Sequence, residues 1–202
     1  KSGILYELKN GESRIALDLT NDSKFVDHDE MGLLSVVSNN NFVYLSYTIN
    51  SDDDKHSYYL VVDEFSKNFD KVRNILSIGL TTIEHVSGTL IFDNLGKLYL
   101  SVGDGGPSKD PENHAQDLNS LRGKVLRLDV SKENPVPQIV AYGLRNPWKI
   151  SIDSKNRMFI GDCGWHTVES VYLIDDLDVK TPYNLGWPVF EGTDRRKKDP
   201  LM

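Results

Sequence analysis

One cysteine, Cys163, stands in 202 residues. That excludes an intrachain disulfide and any zinc site built on paired cysteines, and it leaves the redox compartment open. Long apolar runs are missing too: the longest, such as residues 58–62, are a handful of positions, against the roughly 20 that a membrane-crossing helix needs. No membrane insertion is expected. Positive charge is in deficit, 23 Lys and Arg against 30 Asp and Glu, so nothing draws the chain as a whole to nucleic acid or to an anionic membrane face. A neutral or cationic small ligand suits it better. Helical periodicity is almost absent; residues 116–121 hold the one hint of a helical turn. No signal peptide is visible ahead of the strand-like residues 3–8.

What is present is a succession of short segments rich in Val, Ile, Leu, Tyr and Phe, each bounded by Gly, Asn, Asp or Ser. Strands are expected at residues 33–37, 42–48, 58–63, 89–92, 97–102, 124–130, 138–142, 149–153, 157–161 and 171–174. One pattern recurs: Val43-Tyr44-Leu45-Ser46, Leu98-Tyr99-Leu100-Ser101 and Met158-Phe159-Ile160-Gly161. Each copy follows an apolar strand and an Asn/Asp turn and precedes a strand running into Asp. A repeat of about 50 residues of antiparallel sheet matches the blade of a β-propeller. A β-sandwich would not repeat that order three times. The expected fold is therefore all-β, a β-propeller of four-stranded antiparallel blades. Residues 103–122 interrupt the middle repeat as a long loop, and loops of that length in compact domains are usually functional.

Candidate chemistry gathers just ahead of the blades. His85, in Glu84-His85-Val86-Ser87-Gly88, precedes the first strand of the middle repeat. It is either a loop histidine satisfied by backbone or a general base working near neutral pH. Arg145, in Gly143-Leu144-Arg145-Asn146-Pro147-Trp148, holds the same position in the last repeat. It is either paired with a structural Asp or an always-charged fork for a carboxylate or developing oxyanion. Asp162-Cys163-Gly164-Trp165 offers a glycine turn that can aim carbonyls at a hard cation. Other features read as structural. Gly103-Asp104-Gly105-Gly106 lacks the Lys-Ser/Thr of a P-loop and reads as a tight turn. Asp52-Asp53-Asp54 is a solvated hairpin tip, His56 lies solvated in a charged loop, and His28, His114 and His166 sit among polar neighbours. Arg195-Arg196-Lys197-Lys198 is a solvated basic run, and Asn21-Asp22-Ser23 is a sequon of a kind common by chance.

Taken together, Met31-Gly32-Leu33-Leu34, the segments from Glu84 to Gly106, Ala115-Gln116-Asp117-Leu118-Asn119-Ser120-Leu121-Arg122-Gly123-Lys124, Tyr142 to Trp148, Gly161 to Gly164, and Asn184-Leu185-Gly186-Trp187-Pro188 with Glu191-Gly192 resemble the glucose/sorbosone dehydrogenase family. These are soluble quinoproteins that use pyrroloquinoline quinone (PQQ) on a six-bladed β-propeller. Arg-Asn-Pro-Trp and Gly-Trp-Pro-Val-Phe-Glu-Gly look closest to its hedgehog-interacting-protein-like branch.

The resemblance implies oxidation of the C1 hydroxyl of an aldose by hydride transfer to PQQ, with an external electron acceptor. It makes His85 the base, lets Arg145 stabilise the reduced quinone oxygen, and puts Asn146 and Cys163 beside the cofactor. Calcium (Ca2+) would bridge the cofactor to the backbone carbonyls of Gly164 and Trp165. Trp165 stands where the family has proline, Glu84 where it has aspartate, and Glu30 where it has glutamine. A periplasmic or secreted location is implied. At about 55 residues per blade, residues 1–202 are expected to form a partial propeller domain, an arc of three to four blades with the N- and C-terminal blades missing. The alternatives are a non-catalytic propeller that binds a protein or glycan partner and a calcium-dependent propeller lactonase.

Overall fold

The computed structural model describes residues 2–107 and 109–195. Among them there is no α-helix, only sixteen strands and one 3-10 turn, Leu19–Asn21. The hint of helix at residues 116–121 is a run of turns. The chain divides into two compact units, Lys1–Ile83 and Glu84–Met202.

The first unit holds a hairpin, β1 (Ile4–Lys9) with β2 (Glu12–Asp18), and one antiparallel four-stranded sheet in sequence order, β3 (Leu33–Ser38), β4 (Val43–Asn50), β5 (Tyr58–Phe65) and β6 (Lys71–Leu80). Its core is built from Leu45, Tyr47, Val61 and Phe65. Asp63 and Glu64, neighbours on β5, point to opposite faces and are both buried. Each carboxylate is paired with a tyrosine and a cation: Asp63 with Tyr47 and Lys71, Glu64 with Tyr44 and Arg73. Burial raises the Tyr44 hydroxyl to about 12 and the adjoining carboxylate adds to the shift. His56 is not freely solvated; its ring packs against Tyr59, and Asp53 caps the turn around it by accepting from the Lys55 and His56 amides.

The second unit contains β7 (Ser87–Phe92), β8 (Leu98–Val102), β9 (Lys124–Leu128) and β10 (Gln138–Tyr142) as consecutive antiparallel strands, with β11 (Lys149–Ile152), β12 (Met158–Asp162) and β13 (Ser170–Ile174) forming a second sheet. A short strand β14 (Tyr183–Asn184) joins the first sheet by pairing parallel with β10, and β15 (Phe190–Glu191) pairs with β16 (Asp194–Arg195). One apolar core cements the two larger sheets, with Tyr99, Val125, Val140 and Leu144 facing Ile150, Met158, Ile160 and Ile174. Their first strands are tied by Thr89 Oγ1, which donates to the Trp148 carbonyl at 2.7 Å.

The repeat has a local physical cause. In each sheet the turn between the first two strands is capped by one side-chain oxygen: Asn39 Oδ1 accepts from Asn41 and Phe42 amides, Asp93 Oδ1 from Leu95 and Lys97, Asp153 Oδ1 from Lys155 and Arg157, all at 2.8–2.9 Å. A carboxylate or carboxamide bonding backbone two residues on mimics a backbone turn. These are propeller blades, and the fold is an all-β propeller fold, as the repeat implied. Of the terminal basic run, Arg195 is exposed; residues 196–198 lie outside the described residues.

Candidate functional site

The second unit brings the segments ahead of β7 and β11 together. His85 and Ser87 both have positive φ, 52° and 57°, a left-handed conformation that costs non-glycine residues of order 1–3 kcal/mol and is kept where the surroundings enforce it. The enforcement is close packing. A Cβ on Gly103 would lie 1.8 Å from the His85 carbonyl oxygen, so only glycine lets the start of the long loop run against the histidine. One residue on, Asp104 is fully buried and receives the histidine: His85 Nδ1 lies 2.6 Å from Asp104 Oδ1.

Asp104 is itself held on both oxygens. Gly106 N donates to Oδ1 at 2.9 Å, and the Trp187 indole Nε1 donates to Oδ2 at 2.8 Å from a position 83 residues further along the chain. β14 makes that reach possible, because its pairing with β10 lays Asn184, Leu185 and Gly186 beside the sheet. Leu185 N then donates to the Tyr142 carbonyl and Trp187 N to that of Gly143, each at 2.9 Å. His85 is 4% exposed and uses Nδ1 on Asp104, which leaves Nε2 as the ring nitrogen for chemistry.

Arg145 stands across from this relay with its guanidinium 5.7 Å from the centre of the Trp187 ring, a cation–π contact. Its backbone carbonyl accepts from Asp104 N at 2.8 Å. Asp162, at the end of β12, fixes the segment from below, accepting from Arg145 N at 3.1 Å and Asn146 N at 2.7 Å. Burial pushes the Asp162 carboxyl up to about 7, against the pull of those two amides. Asn146 Oδ1 accepts from Ser87 Oγ at 2.7 Å, which locks the two segments together. Arg145 Nε is buried and has no hydrogen-bond partner among the described residues, which leaves this donor open to a bound group.

The loop after β12 carries the carbonyls expected to hold calcium. The Gly164 carbonyl accepts from Arg145 Nη1 at 2.8 Å and the Cys163 carbonyl from the same atom at 3.2 Å. A positive guanidinium thus faces one of the two carbonyls assigned to a cation, that of Gly164. Cys163 is half-buried, and its amide donates to the Asn146 carbonyl at 3.0 Å. Trp165 is half-buried, with Lys109 Nζ 4.7 Å over its ring. Trp165 and Trp187 line an open pocket of about 650 Å³ with Lys109, Thr193, Asp194 and Arg195. Among the described residues no group of three His, Cys, Asp or Glu side chains is placed to hold a metal ion. Glu84 is exposed; Glu30 lies in the first unit, half-buried.

Asp104, Trp187, Asp162 and Glu191 lie in motifs named from the sequence, but sequence reasoning gave none of them a role in the site. The signal for Asp104 was its place between two glycines, where a turn needs no buried carboxylate. Nothing local marks Trp187.

Known proteins share sequence or fold with this chain. The plant HIPL1 protein of Arabidopsis thaliana is 37% identical over 153 residues, 61% of this chain and 21% of that protein. Human hedgehog-interacting protein is 30% identical over 159 residues, 62% of this chain and 23% of that protein. The solved PQQ-bound form of aldose sugar dehydrogenase from Streptomyces coelicolor superposes with a TM-score of 0.72 at 22% identity, over 95% of this chain and 58% of that one. The chain thus spans about a fifth of the first two proteins and somewhat over half of the third. The Glucose / Sorbosone dehydrogenase family model matches residues 1–200, and the chain belongs to that family.

Proposed function

We propose that this domain oxidises the C1 hydroxyl of an aldose, passing hydride to PQQ, with His85 as the general base. The buried His85–Asp104 pair is the observation that carries it. Asp104 accepts a hydrogen bond from Nδ1–H and so presents Nε2 as acceptor to a substrate hydroxyl; its charge then stabilises the imidazolium that forms as the proton leaves C1–OH. The Trp187 indole and the Gly106 amide keep the carboxylate from turning away.

The residues present fit a planar, anionic o-quinone. Arg145 Nε is a buried donor without a partner, and the adjoining pocket combines two tryptophans with Lys109 and Arg195. Bound there, PQQ would supply the hydride acceptor. Arg145 would donate to its oxygen where negative charge develops, a form of stabilisation that costs no reorganisation during reaction. Asn146, pinned by Ser87 and Asp162, and Cys163 would line the cofactor's edge. Electrons would leave to an external acceptor, and a periplasmic or secreted location belongs to the same proposal. No helix among the described residues is long and apolar enough to cross a membrane.

The test adds PQQ to the protein and follows dye reduction with a panel of aldoses. His85→Ala is expected to keep quinone binding and lose several orders of magnitude in dye reduction; full activity in that variant removes His85 from the mechanism. A second reading, a propeller that docks a protein or glycan, is favoured by Trp165 in place of proline. That ring and Lys109 form an aromatic, cationic surface at the mouth of the pocket. Absence of quinone binding, with capture of a partner lost in Trp165→Ala, would establish it instead.

A further inference from the structure

The loop at residues 163–168 carries more electrostatic structure than the proposed reaction uses. On its carbonyl side, Cys163 and Gly164 both accept from Arg145 Nη1, at 3.2 and 2.8 Å. On its amide side, Trp165, His166, Thr167 and Val168 all donate to one oxygen, Glu191 Oε1, at 2.7, 2.8, 3.0 and 3.3 Å. Gly164 N adds a bond to Glu169 Oε2 at 3.1 Å. Successive amides converging on one point form an anion-binding nest, and here the anion is part of the chain. Burial opposes the Glu191 charge, but the four amides outweigh it and hold the carboxyl well below its usual value. The turn is tight enough that a Cβ on Gly164 would lie 1.9 Å from the Val168 carbonyl oxygen.

We propose that this loop is held by a built-in pair of opposite charges, the Arg145 guanidinium on its carbonyls and the Glu191 carboxylate on its amides, and that it binds no calcium. A calcium ion takes 6–8 oxygen ligands, with carboxylates prominent among them. Of the carboxylates that touch the loop, one Glu191 oxygen accepts from four amides, one Glu169 oxygen from the Gly164 amide, and both Asp162 oxygens from the Arg145 and Asn146 amides. An ion on the Gly164 carbonyl would sit beside a fixed positive charge, which weakens its binding by about tenfold or more at that separation. Arg145 thus has two jobs on different nitrogens. Nη1 closes the loop, while Nε is left for the ligand. This inference goes beyond the sugar-dehydrogenase reading and does not depend on it, because its test needs no turnover.

The full chain, stripped with EGTA, is titrated with CaCl2 by calorimetry and with TbCl3 by tryptophan-sensitised luminescence, Trp165 being the reporter on the loop. The expected result is no saturable calcium uptake below about 1 mM and a thermal midpoint unmoved by calcium or EGTA. One calcium per chain that displaces sensitised terbium would overturn the proposal. Arg145→Met removes the cation and keeps the length of the side chain. It is expected to strengthen the apparent terbium affinity about tenfold or more, and an affinity equal to wild type would show that Arg145 does not occupy the cation position. If that variant fails to fold, the wild-type calcium titration decides alone. PQQ binding, followed by absorbance, separates the two readings: no binding in either calcium or EGTA counts against the dehydrogenase, whereas binding lost only in EGTA counts against this inference.

Discussion

Lys124→Met tests whether the long loop of the second unit is built on a single buried cation. Lys124 begins β9, is fully buried, and its Nζ donates to the carbonyls of His114, Ala115 and Arg122 at 2.7, 3.1 and 2.6 Å. The loop that carries Asp104 is therefore folded back onto one ammonium. Each such bond from a charged donor contributes roughly 1.5–3 kcal/mol. Burial opposes them by lowering the lysine to about 8 from its usual value of 10.5, at a cost of roughly 3 kcal/mol. The net loss expected in Lys124→Met, which leaves three buried carbonyls unpaired, is about 2–4 kcal/mol. For a chain of this size that lowers the thermal midpoint by roughly 5–15 °C.

The same site makes a pH prediction with a definite sign. Between about pH 8 and 10.4 the unfolded chain keeps a proton on Lys124 that the folded chain has released, so this group's contribution to stability rises with pH across that window and is lost as pH falls through 8. The variant lacks this contribution, so the gap between wild type and Lys124→Met should widen from pH 7 to pH 10 by up to roughly 3 kcal/mol. Denaturant melts of both proteins at the two pH values measure it, and every other titrating group cancels in the difference. A variant as stable as wild type, or a gap that does not change with pH, refutes the reasoning.

Three further predictions concern the site. Asp104→Asn keeps one acceptor oxygen but leaves the other facing group unmatched, and by analogy with an aspartate that orients a catalytic histidine it should lower turnover about 10²- to 10⁴-fold with quinone affinity retained; steady-state kinetics and absorbance titration check the two halves. Asp162 holds a proton in the folded chain up to about pH 7, which the unfolded chain releases near 4, so its contribution falls as pH rises between them, by up to roughly 4 kcal/mol. Wild type should lose ground to Asp162→Asn between pH 5 and pH 8 in thermal melts, and parallel profiles would contradict this. Glu191→Ala releases four amides, so limited proteolysis should cut within residues 164–169 at least tenfold faster, while Glu191→Gln, which keeps the acceptor, should be milder; equal cutting in all three proteins would show that Glu191 does not clamp the loop.

The blades were legible in the sequence because their signal is local. Asn39, Asp93 and Asp153 each cap a turn within four residues of themselves, and the apolar strands beside them bury their side chains. Strand β6 escaped because Asn74, Ser77 and Gly79 break its alternation, and the ladder to β5 shifts register twice. Strand β2 escaped because Glu12, Ser13 and Arg14 are exposed and polar. At the site, His85 and Arg145 could be found because each stands ahead of a blade at the same place in the repeat. Their partners could not. The bond from Trp187 to Asp104 depends on a parallel pairing between β10 and β14 that no nearby residue announces. The Arg145 contact was hidden for the same reason: a Gly-Trp turn shows that carbonyls can be presented, and only the folded loop shows that Arg145 donates to that of Gly164.

The placement of Trp187 has a consequence for the order in which the protein matures. His85 and its carboxylate partner are 19 residues apart, but the indole that steadies the carboxylate comes 83 residues after it. Contacts so distant in sequence form only after a large loop has closed, an entropic cost met late in folding. A chain emerging from a ribosome can therefore pair β7, β8, β9 and β10 well before β14 exists to lay Trp187 against them. Until then Asp104 lacks one of its donors and His85 is poorly aimed. The complete His85–Asp104–Trp187 arrangement should appear as one of the last events in the life of a newly made chain, after most of its sheet is already in place.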